Sequence, residues 1–140
     1  MDFRRLDVRN CECPRAFSSP AINVIQEREE LLQTYGEEIA RRVNLGDWFV
    51  VGVHRGLCRS GGYSVRVQDI KHSPDTVTVT VHYRDPEPGE LVTLMMTEPS
   101  DVVLVSRKGF SPGEHVEFIF RDQDGVEIHR RAITVIRAGG

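Results

Sequence analysis

The chain has 140 residues, which is the size of one ordinary domain and leaves no room for a second independent core. Hydrophobic residues make up 39% of it, enough to fill a core without disulfides or a structural metal, and the composition excludes disordered, collagen-like and coiled-coil proteins. The 18 basic and 21 acidic residues give a net charge of −3, which has the wrong sign for a protein that binds nucleic acids or membranes through charge.

Residues 1–20 are predicted to form an N-terminal arm or an edge strand that continues into a loop. A weak alternation of apolar and polar residues from Phe3 to Arg9 favours the strand, and the Cys-Pro and Ser-Pro pairs after it favour the loop. Residues 21–25 have the composition of a short strand. We expect residues 21–140 to form the single folded domain.

One amphipathic helix is predicted over residues 27–42. Apolar residues recur at steps of three and four and form one stripe, which consists of Leu31, Leu32, Tyr35, Ile39 and Val43. The acidic residues between them, accompanied by arginines, are typical of a solvated helix face and do not indicate a catalytic carboxylate pair. Gly36 lies inside this segment and favours a break into two shorter helices.

The rest of the chain carries the pattern of short β-strands. Residues 48–53 are apolar on both faces, which predicts a strand at the centre of a sheet. Apolar and polar residues alternate over 63–68 and again over 76–83, across a Ser-Pro-Asp turn, and this predicts a hairpin with one solvated face.

Two further strands are predicted at residues 91–97 and 102–105, on either side of Pro99. A final hairpin follows, in which Val116, Phe118 and Phe120 pair with the residues after the Asp-Gln-Asp-Gly turn at 122–125. Seven or eight short strands with one early helix predict a mainly β (α+β) protein, built as an antiparallel β-sandwich or an open barrel.

Strict antiparallel succession also predicts which loops share an end of the sandwich. It places the longer connections at one end, namely residues 55–62, 85–89 and 107–113, and the shorter turns at the other, namely residues 73–75, 98–100 and 122–125. If residues 91–105 instead form a single strand bent at Pro99, the 107–113 loop moves to the opposite end.

The cysteines and histidines do not form a recognisable metal site. Cys11 and Cys13 lack the second ligand pair that structural zinc needs, so they are interpreted as two thiols in a loop. The histidines have no chelating spacing and are expected at the surface, at His54, His72, His82, His115 and His129. We predict neither a cofactor nor a metal.

Cys58 near His54 suggests a Cys-His nucleophile, with Arg55 and Arg59 lowering the thiol pKa. Residues four apart on an extended segment are about 13 Å apart, however, and no orienting group can be nominated, so we do not predict an enzyme. The neighbouring glycines lack the following helix of a phosphate-binding loop, and they are expected to serve positive φ angles or close backbone approach.

The cellular location is predicted from the same cysteines and from the N-terminus. Three cysteines make no even disulfide framework, which favours a reducing compartment. The N-terminus lacks the apolar region of a secretory signal, and no run approaches the roughly 20 apolar residues of a membrane span. We therefore expect a cytoplasmic chain, unless an export signal has been trimmed from it.

A hydrophobic strand, a Gly-Gly-Tyr loop and a later Thr-x-Pro segment form a connected motif. Its residues are Phe49-Val50-Val51-Gly52-Val53, Gly56, Ser60-Gly61-Gly62-Tyr63-Ser64-Val65, Val92–Pro99 and Asp101–Val105. With the short strand and helix before them, over roughly residues 22–106, they resemble the C-terminal domain of the protease-complex subunit PrcB family. The chain departs from the family pattern at Ser60, where threonine is usual, and at Arg59, where proline is common.

The resemblance implies a non-catalytic module that binds a partner protein, in this family a protease whose assembly or stability it supports. Arginine and tyrosine are favoured at binding hot spots, so the predicted contact residues are Arg55, Arg59, Ser60, Gly61, Gly62 and Tyr63, joined by Arg107, Lys108 and Phe110 if their loop lies at the same end. A competing interpretation makes Tyr63 an inward-facing strand residue and the arginines merely solubilising. Nucleic acid and membrane are not predicted partners, and the pattern does not predict an oligomeric state.

A second functional hypothesis concerns the same loop. Ser60-Gly61-Gly62-Tyr63 between two sandwich strands is similar to the Thr-Gly-Tyr loop that chagasin-type inhibitors insert into a cysteine-protease cleft. The alternative function is therefore a protease inhibitor whose backbone near Gly61 occupies a substrate cleft.

Overall fold

A computed structural model describes residues 3–8 and 17–137. The described residues form eight strands, arranged in two sheets that pack on each other, and two helices. Cys11 and Cys13 lie outside the described residues. The elements in chain order are β1 Phe3–Leu6, β2 Ala21–Ile25, α1 Arg28–Tyr35, α2 Glu37–Arg42, β3 Trp48–His54, β4 Ser64–Ser73, β5 Thr76–Arg84, β6 Ser100–Ser106, β7 His115–Arg121 and β8 Glu127–Thr134.

The two sheets have four strands each and form a sandwich, in the orders β1-β6-β3-β2 and β4-β5-β7-β8. This confirms the mainly β fold class. Neighbouring strands are antiparallel with one departure from the prediction, because β5 and β7 pair in parallel, with Thr76 opposite Glu117 and Thr80 opposite Arg121. The reason is that residues 85–99 carry the chain over to the first sheet, so β7 returns beside β5 in the same direction.

The main core lies between the sheets and is made mostly of alternating valines and phenylalanines. Val77, Val79 and Val81 of β5 are fully buried, as the alternation predicts. Strand β3 is central and buried on both faces: Phe49 and Val51 face the second sheet, whereas Val50 packs beneath the helices. A strand that is apolar on both faces is therefore covered on both, as expected for its position.

The two helices cover the outer face of the first sheet. The predicted helix breaks where expected, because Gly36 has φ 88° and separates α1 from α2. The apolar stripe packs on β3 and β6, and the opposite face is solvated and carries the exposed ion pairs Arg41–Glu37 and Arg42–Glu38. Within the described ranges, neither helix is long or apolar enough to cross a membrane.

The loops are distributed differently from the strict antiparallel prediction. Because β6 runs antiparallel to β3, with Trp48 opposite Ser106 and His54 opposite Ser100, the 107–113 loop lies at the opposite end from the 55–62 loop. The 122–125 turn joins the 55–62 end, where the Gln123 Nε2 donates to the Tyr83 carbonyl at 2.8 Å. We call the end formed by residues 55–63, 85–99 and 122–126 the loop end.

Candidate protein-binding surface

The Arg55 side chain contacts several segments of the loop end. Its guanidinium donates to the carbonyls of Ser64 at 3.1 Å and Arg84 at 2.7 Å, and it pairs with Asp85. The same group lies over the ring of Tyr63, 4.9 Å from the ring centroid. Its side chain is only 17% exposed, so Arg55, which we predicted to contact a partner, is used mainly within the molecule.

Tyr83 is the second aromatic residue of this cluster. Its ring centroid lies 5.6 Å from the Arg55 guanidinium carbon. Partial burial raises the pKa of Tyr83, an effect that the nearby Arg55 charge opposes and Asp122 reinforces. The phenol therefore stays neutral over the physiological range and contributes an apolar ring to the cluster.

The glycine-rich loop is packed tightly against the connection that follows β5. A Cβ at Gly61 would lie 2.2 Å from the Thr93 Oγ1, and a Cβ at Gly62 would lie 2.6 Å from both the Pro86 Cβ and the Val92 Cγ1. Gly56 has φ +92°, a conformation that favours glycine. Both expected roles of these glycines, positive φ and close approach, are therefore present.

The close packing also fixes the shape of the predicted inhibitory loop. Ser60 and Gly62 are buried, and the Gly61 N–H donates to the Thr93 carbonyl at 3.0 Å. Residues 92–97 cover the loop on one side, whereas Gly61 itself is exposed. The inhibitor hypothesis therefore stays a prediction.

Residues 91–97 do not form the predicted strand. Two anchors hold them to the glycine loop: the Gly61–Thr93 bond, and an isolated bridge in which Cys58 and Thr97 exchange N–H···O bonds of 2.7 and 2.8 Å. Between the two anchors the loop advances three residues, from Cys58 to Gly61, whereas the segment spans four, from Thr93 to Thr97. The segment bends at Met95, where the extra residue is accommodated. This mismatch prevents a regular ladder of hydrogen bonds between the segment and the loop.

The segment places large apolar side chains in solvent. The exposed fraction is 99% for Leu91, 91% for Leu94, 72% for Met95 and 62% for Met96. Leu57, on the loop to which the segment is anchored, is 48% exposed. We call these five residues the apolar patch. Sequence analysis missed it, although leucine and methionine without alternation, between Pro88 and Pro99, signal a loop better than a strand.

Three predicted contact residues remain accessible near the patch, and one of them is the exposed Gly61. Arg59 is exposed and has no hydrogen-bond or ion-pair partner within the described part of the chain, and Tyr63 is partly exposed under Arg55. An arginine next to exposed aliphatic side chains is a common arrangement at protein interfaces.

Three more residues were predicted to join the contact surface if their loop lay at the same end, and the structure places that loop at the opposite end. Arg107 is 8% exposed and donates to the carbonyls of Leu45, at 2.8 Å, and Ile136. Burial lowers its pKa. Phe110 packs edge-on against Phe49 in the core, with ring centroids 5.6 Å apart, and only Lys108 of the three is exposed. Arg107 and Phe110 stabilise the fold, and none of the three lies at the same end as Arg59.

His54 is not the surface residue that we expected. It is 2% exposed, and its ring stacks on Phe17 with centroids 3.5 Å apart. Its Nε2 lies 2.7 Å from the Tyr35 hydroxyl oxygen and its Nδ1 lies 2.7 Å from the Ser100 Oγ. The thiol of Cys58 instead donates a weak hydrogen bond to the Gly56 carbonyl at 3.7 Å, so both ring nitrogens are occupied by groups other than Cys58. Among the described residues, no His, Cys, Asp or Glu cluster could hold a metal ion.

The middle of the chain matches a protein-family model. Residues 49–106 match the family model described as PrcB C-terminal, which confirms the resemblance found in the sequence over this range. The matched range runs from β3 to β6 and includes the glycine loop, the Arg55 cluster and the whole apolar patch. No curated protein and no solved structure matches the chain.

Proposed function

We propose that this chain, with its PrcB C-terminal-like region over residues 49–106, is a non-catalytic module that binds a protease through the apolar patch. The observation that carries the proposal is the apolar patch. Four large apolar side chains within six residues are more than 60% exposed, with a fifth beside them on the neighbouring loop.

Clustered exposure of this kind does not stabilise an isolated protein. Apolar surface that stays in water contributes nothing to folding, so contiguous patches usually mark a surface that a partner covers. Methionine adapts its shape to a partner because its side chain is unbranched and polarisable. Met95 and Met96 therefore suit a surface that must match the contours of another protein.

The non-catalytic part of the proposal is supported by how the reactive groups are used. His54 is held by Tyr35 and Ser100, and the Cys58 thiol donates to the Gly56 carbonyl. A nucleophilic cysteine requires a base within hydrogen-bond reach. The geometry thus favours a structural His54 and an unassisted Cys58 thiol.

The protease as partner rests on the family resemblance. The matched region contains every residue of the apolar patch, so the surface that we assign to the partner lies in the part of the chain that resembles the PrcB C-terminal domain. We propose a cytoplasmic partner because the three cysteines make no even disulfide framework, which favours a reducing compartment.

A comparative capture experiment tests the proposal. The full chain, a Leu94→Asp/Met95→Asp variant and a Val126→Asp variant are immobilised, and bound proteins from the native source are identified by mass spectrometry. Val126 is 58% exposed outside the patch, so it controls for the loss of an exposed apolar residue. We expect a protease to be retained by the chain and by the Val126 variant, and lost from the double variant. Capture without any protease, or equal capture by the double variant, would refute the proposal.

A second measurement separates binding from inhibition. Titration of papain-like and serine proteases with the chain should leave their activity unchanged at micromolar concentrations. Inhibition that survives the Leu94→Asp/Met95→Asp change would favour the inhibitor hypothesis instead.

A further inference from the structure

The sulfur-containing side chains of the described residues all lie at the loop end. They are Cys58 on the glycine loop and Met95 and Met96 on the segment anchored to it. The bridge between Cys58 and Thr97, with N–H···O bonds of 2.7 and 2.8 Å, brings these two parts of the chain together. Within the described chain, a reagent that oxidises sulfur therefore acts on this one surface.

The two cores formed by the described residues contain no sulfur. Valine and phenylalanine fill most of the core between the sheets, and the core beneath the helices likewise holds neither methionine nor cysteine. Methionine often fills gaps in apolar cores because its side chain is flexible and polarisable. Here the described methionines serve only the surface, so a chemical change at them alters the apolar patch and leaves the packing that stabilises the fold intact.

Met95 and Met96 are open to small oxidants in the unbound chain. Their exposed fractions are 72% and 62%. Residues 91–96 belong to no helix or strand, so both side chains stand on an irregular surface segment that a second enzyme can also approach. Cys58 differs, because it is half-buried and its thiol donates to the Gly56 carbonyl at 3.7 Å. The two methionines are thus the most exposed sulfur-containing side chains of the described surface.

Oxidation changes the polarity of these side chains. A methionine thioether is apolar, whereas its sulfoxide carries a strongly polar S–O group that accepts hydrogen bonds. Burying a polar group without a hydrogen-bond partner is unfavourable. A protein surface that covers Leu91, Leu94 and the methionines through apolar contacts supplies no such partner, so it binds the sulfoxide form more weakly.

We propose that Met95 and Met96 form a redox modification site, at which a peroxide converts both thioethers to sulfoxides and thereby prevents the partner from binding. The inference rests on the proposed function and adds a means of regulating the same surface. Because the described cores are free of sulfur, the modified chain stays folded, and reduction of the sulfoxides restores the original surface.

The chemistry balances in both directions. In oxidation, the sulfur lone pair attacks one peroxide oxygen, an S–O bond forms and the O–O bond breaks. For hydrogen peroxide, the departing hydroxide takes the proton of the transferred oxygen and becomes water, so sulfur loses the two electrons that the peroxide gains. In reduction, two thiols of a methionine sulfoxide reductase form a disulfide and supply two electrons, and the sulfoxide oxygen leaves as water.

Treatment of the full chain with hydrogen peroxide tests the site. Peptide mass spectrometry follows oxygen uptake at each methionine and cysteine, and thermal unfolding is measured on the same samples. We expect Met95 and Met96 to be oxidised as fast as methionine in an unstructured peptide, with no change in the unfolding midpoint. Markedly slower oxidation of either residue, or a lower midpoint after oxidation of the methionines, would overturn the proposal.

Capture of the protease tests the consequence for binding. The oxidised chain should retain at least about tenfold less protease than the untreated chain, and a methionine sulfoxide reductase with a dithiol should restore capture. Met95→Gln/Met96→Gln, which makes both side chains polar, should lose capture without any oxidant. Equal capture before and after oxidation, or full capture by the glutamine variant, would contradict the inference.

A leucine variant provides the matched control. Met95→Leu/Met96→Leu preserves volume and apolar character, so it should capture the protease whether or not it has been treated with peroxide. It keeps Cys58 and every other sulfur-containing residue of the chain, so loss of its capture after treatment would assign the effect to another residue and overturn the proposal. Cys58→Ser should lose capture on oxidation as the unaltered chain does, and resistance of this variant to peroxide would also overturn the proposal.

Failure of this inference and failure of the proposed function give different results. If the untreated and oxidised chains retain the protease equally, the redox regulation is wrong and the protease-binding function stands. If the untreated chain retains no protease, the proposed function falls, whatever the oxidation rates of the methionines.

Discussion

Gly52 in β3 is predicted to be required because the Tyr35 hydroxyl occupies the space beside it. A Cβ at position 52 would lie 2.0 Å from the Tyr35 hydroxyl oxygen and 3.0 Å from the His54 Nε2. Tyr35 is 1% exposed, so its ring cannot swing into solvent. Gly52→Ala must therefore displace the hydroxyl and break its 2.7 Å hydrogen bond to His54.

The expected cost follows from these two effects. Forcing an extra methyl group into a packed core costs about 1–3 kcal/mol. The lost hydrogen bond adds about 0.5–1.5 kcal/mol, so Gly52→Ala should lower the free energy of unfolding by about 1.5–4.5 kcal/mol in all. Tyr35→Phe removes the clashing oxygen and should by itself cost about 1 kcal/mol.

A double-mutant cycle by urea denaturation checks the assignment to this one atom. The Gly52→Ala/Tyr35→Phe variant should be more stable than the sum of the two single changes predicts, by at least about 1 kcal/mol, because the oxygen that the methyl group displaces is already gone. Additive free energies within about 0.5 kcal/mol would refute the reasoning. So would a Gly52→Ala variant as stable as the unaltered chain.

Three further predictions concern the loop end. Arg55→Met should lower the free energy of unfolding in urea by about 1–3 kcal/mol, because two carbonyls lose their hydrogen-bond donor and the Tyr63 ring loses its cation. Arg59→Met should change it by less than about 0.5 kcal/mol, and equal effects would contradict the structural role of Arg55. Gly62→Ala should cost about 1–3 kcal/mol and speed amide exchange in the 91–97 segment, and unchanged exchange there would argue against the close packing. The folded-state pKa of Tyr83 is raised, so its stabilising contribution is complete below pH 10 and is lost as the pH rises through the folded pKa. The free energy of unfolding of the unaltered chain, measured relative to Tyr83→Phe, should therefore fall in that pH range. A difference that stays constant with pH would refute the raised pKa.

Local patterns were enough to predict most of the strands, the helix break and the central position of β3. The run Phe49-Val50-Val51-Gly52-Val53 is apolar on both faces, and burial on both faces is what its position imposes. Gly36 breaks the helix because its φ of 88° suits only glycine. These features depend on a few consecutive residues, so the sequence contains the whole cause.

The errors arise where distant segments decide the outcome. His54 has the sequence context of a strand end, but Phe17 and Tyr35 come from other parts of the chain to bury it. The parallel pairing of β5 with β7 depends on where residues 85–99 deliver the chain, which no local pattern specifies. The apolar patch was mistaken for a strand because apolar content alone does not distinguish a paired segment from one anchored at two points.

The Arg55 cluster explains how an irregular segment can serve as a binding surface. The Arg55 side chain follows β3 of the first sheet and binds the start of β4 and the end of β5 in the second, so it joins the two sheets at the base of the loop end. The Arg55 backbone N–H also donates to the Pro99 carbonyl at 2.9 Å, a bond that Arg55→Met leaves in place. A segment held in place before binding loses less conformational entropy when a partner arrives. On the proposed function, the side chain of Arg55 helps to position the patch, so Arg55→Met should weaken capture of the protease even though the patch residues themselves are unchanged.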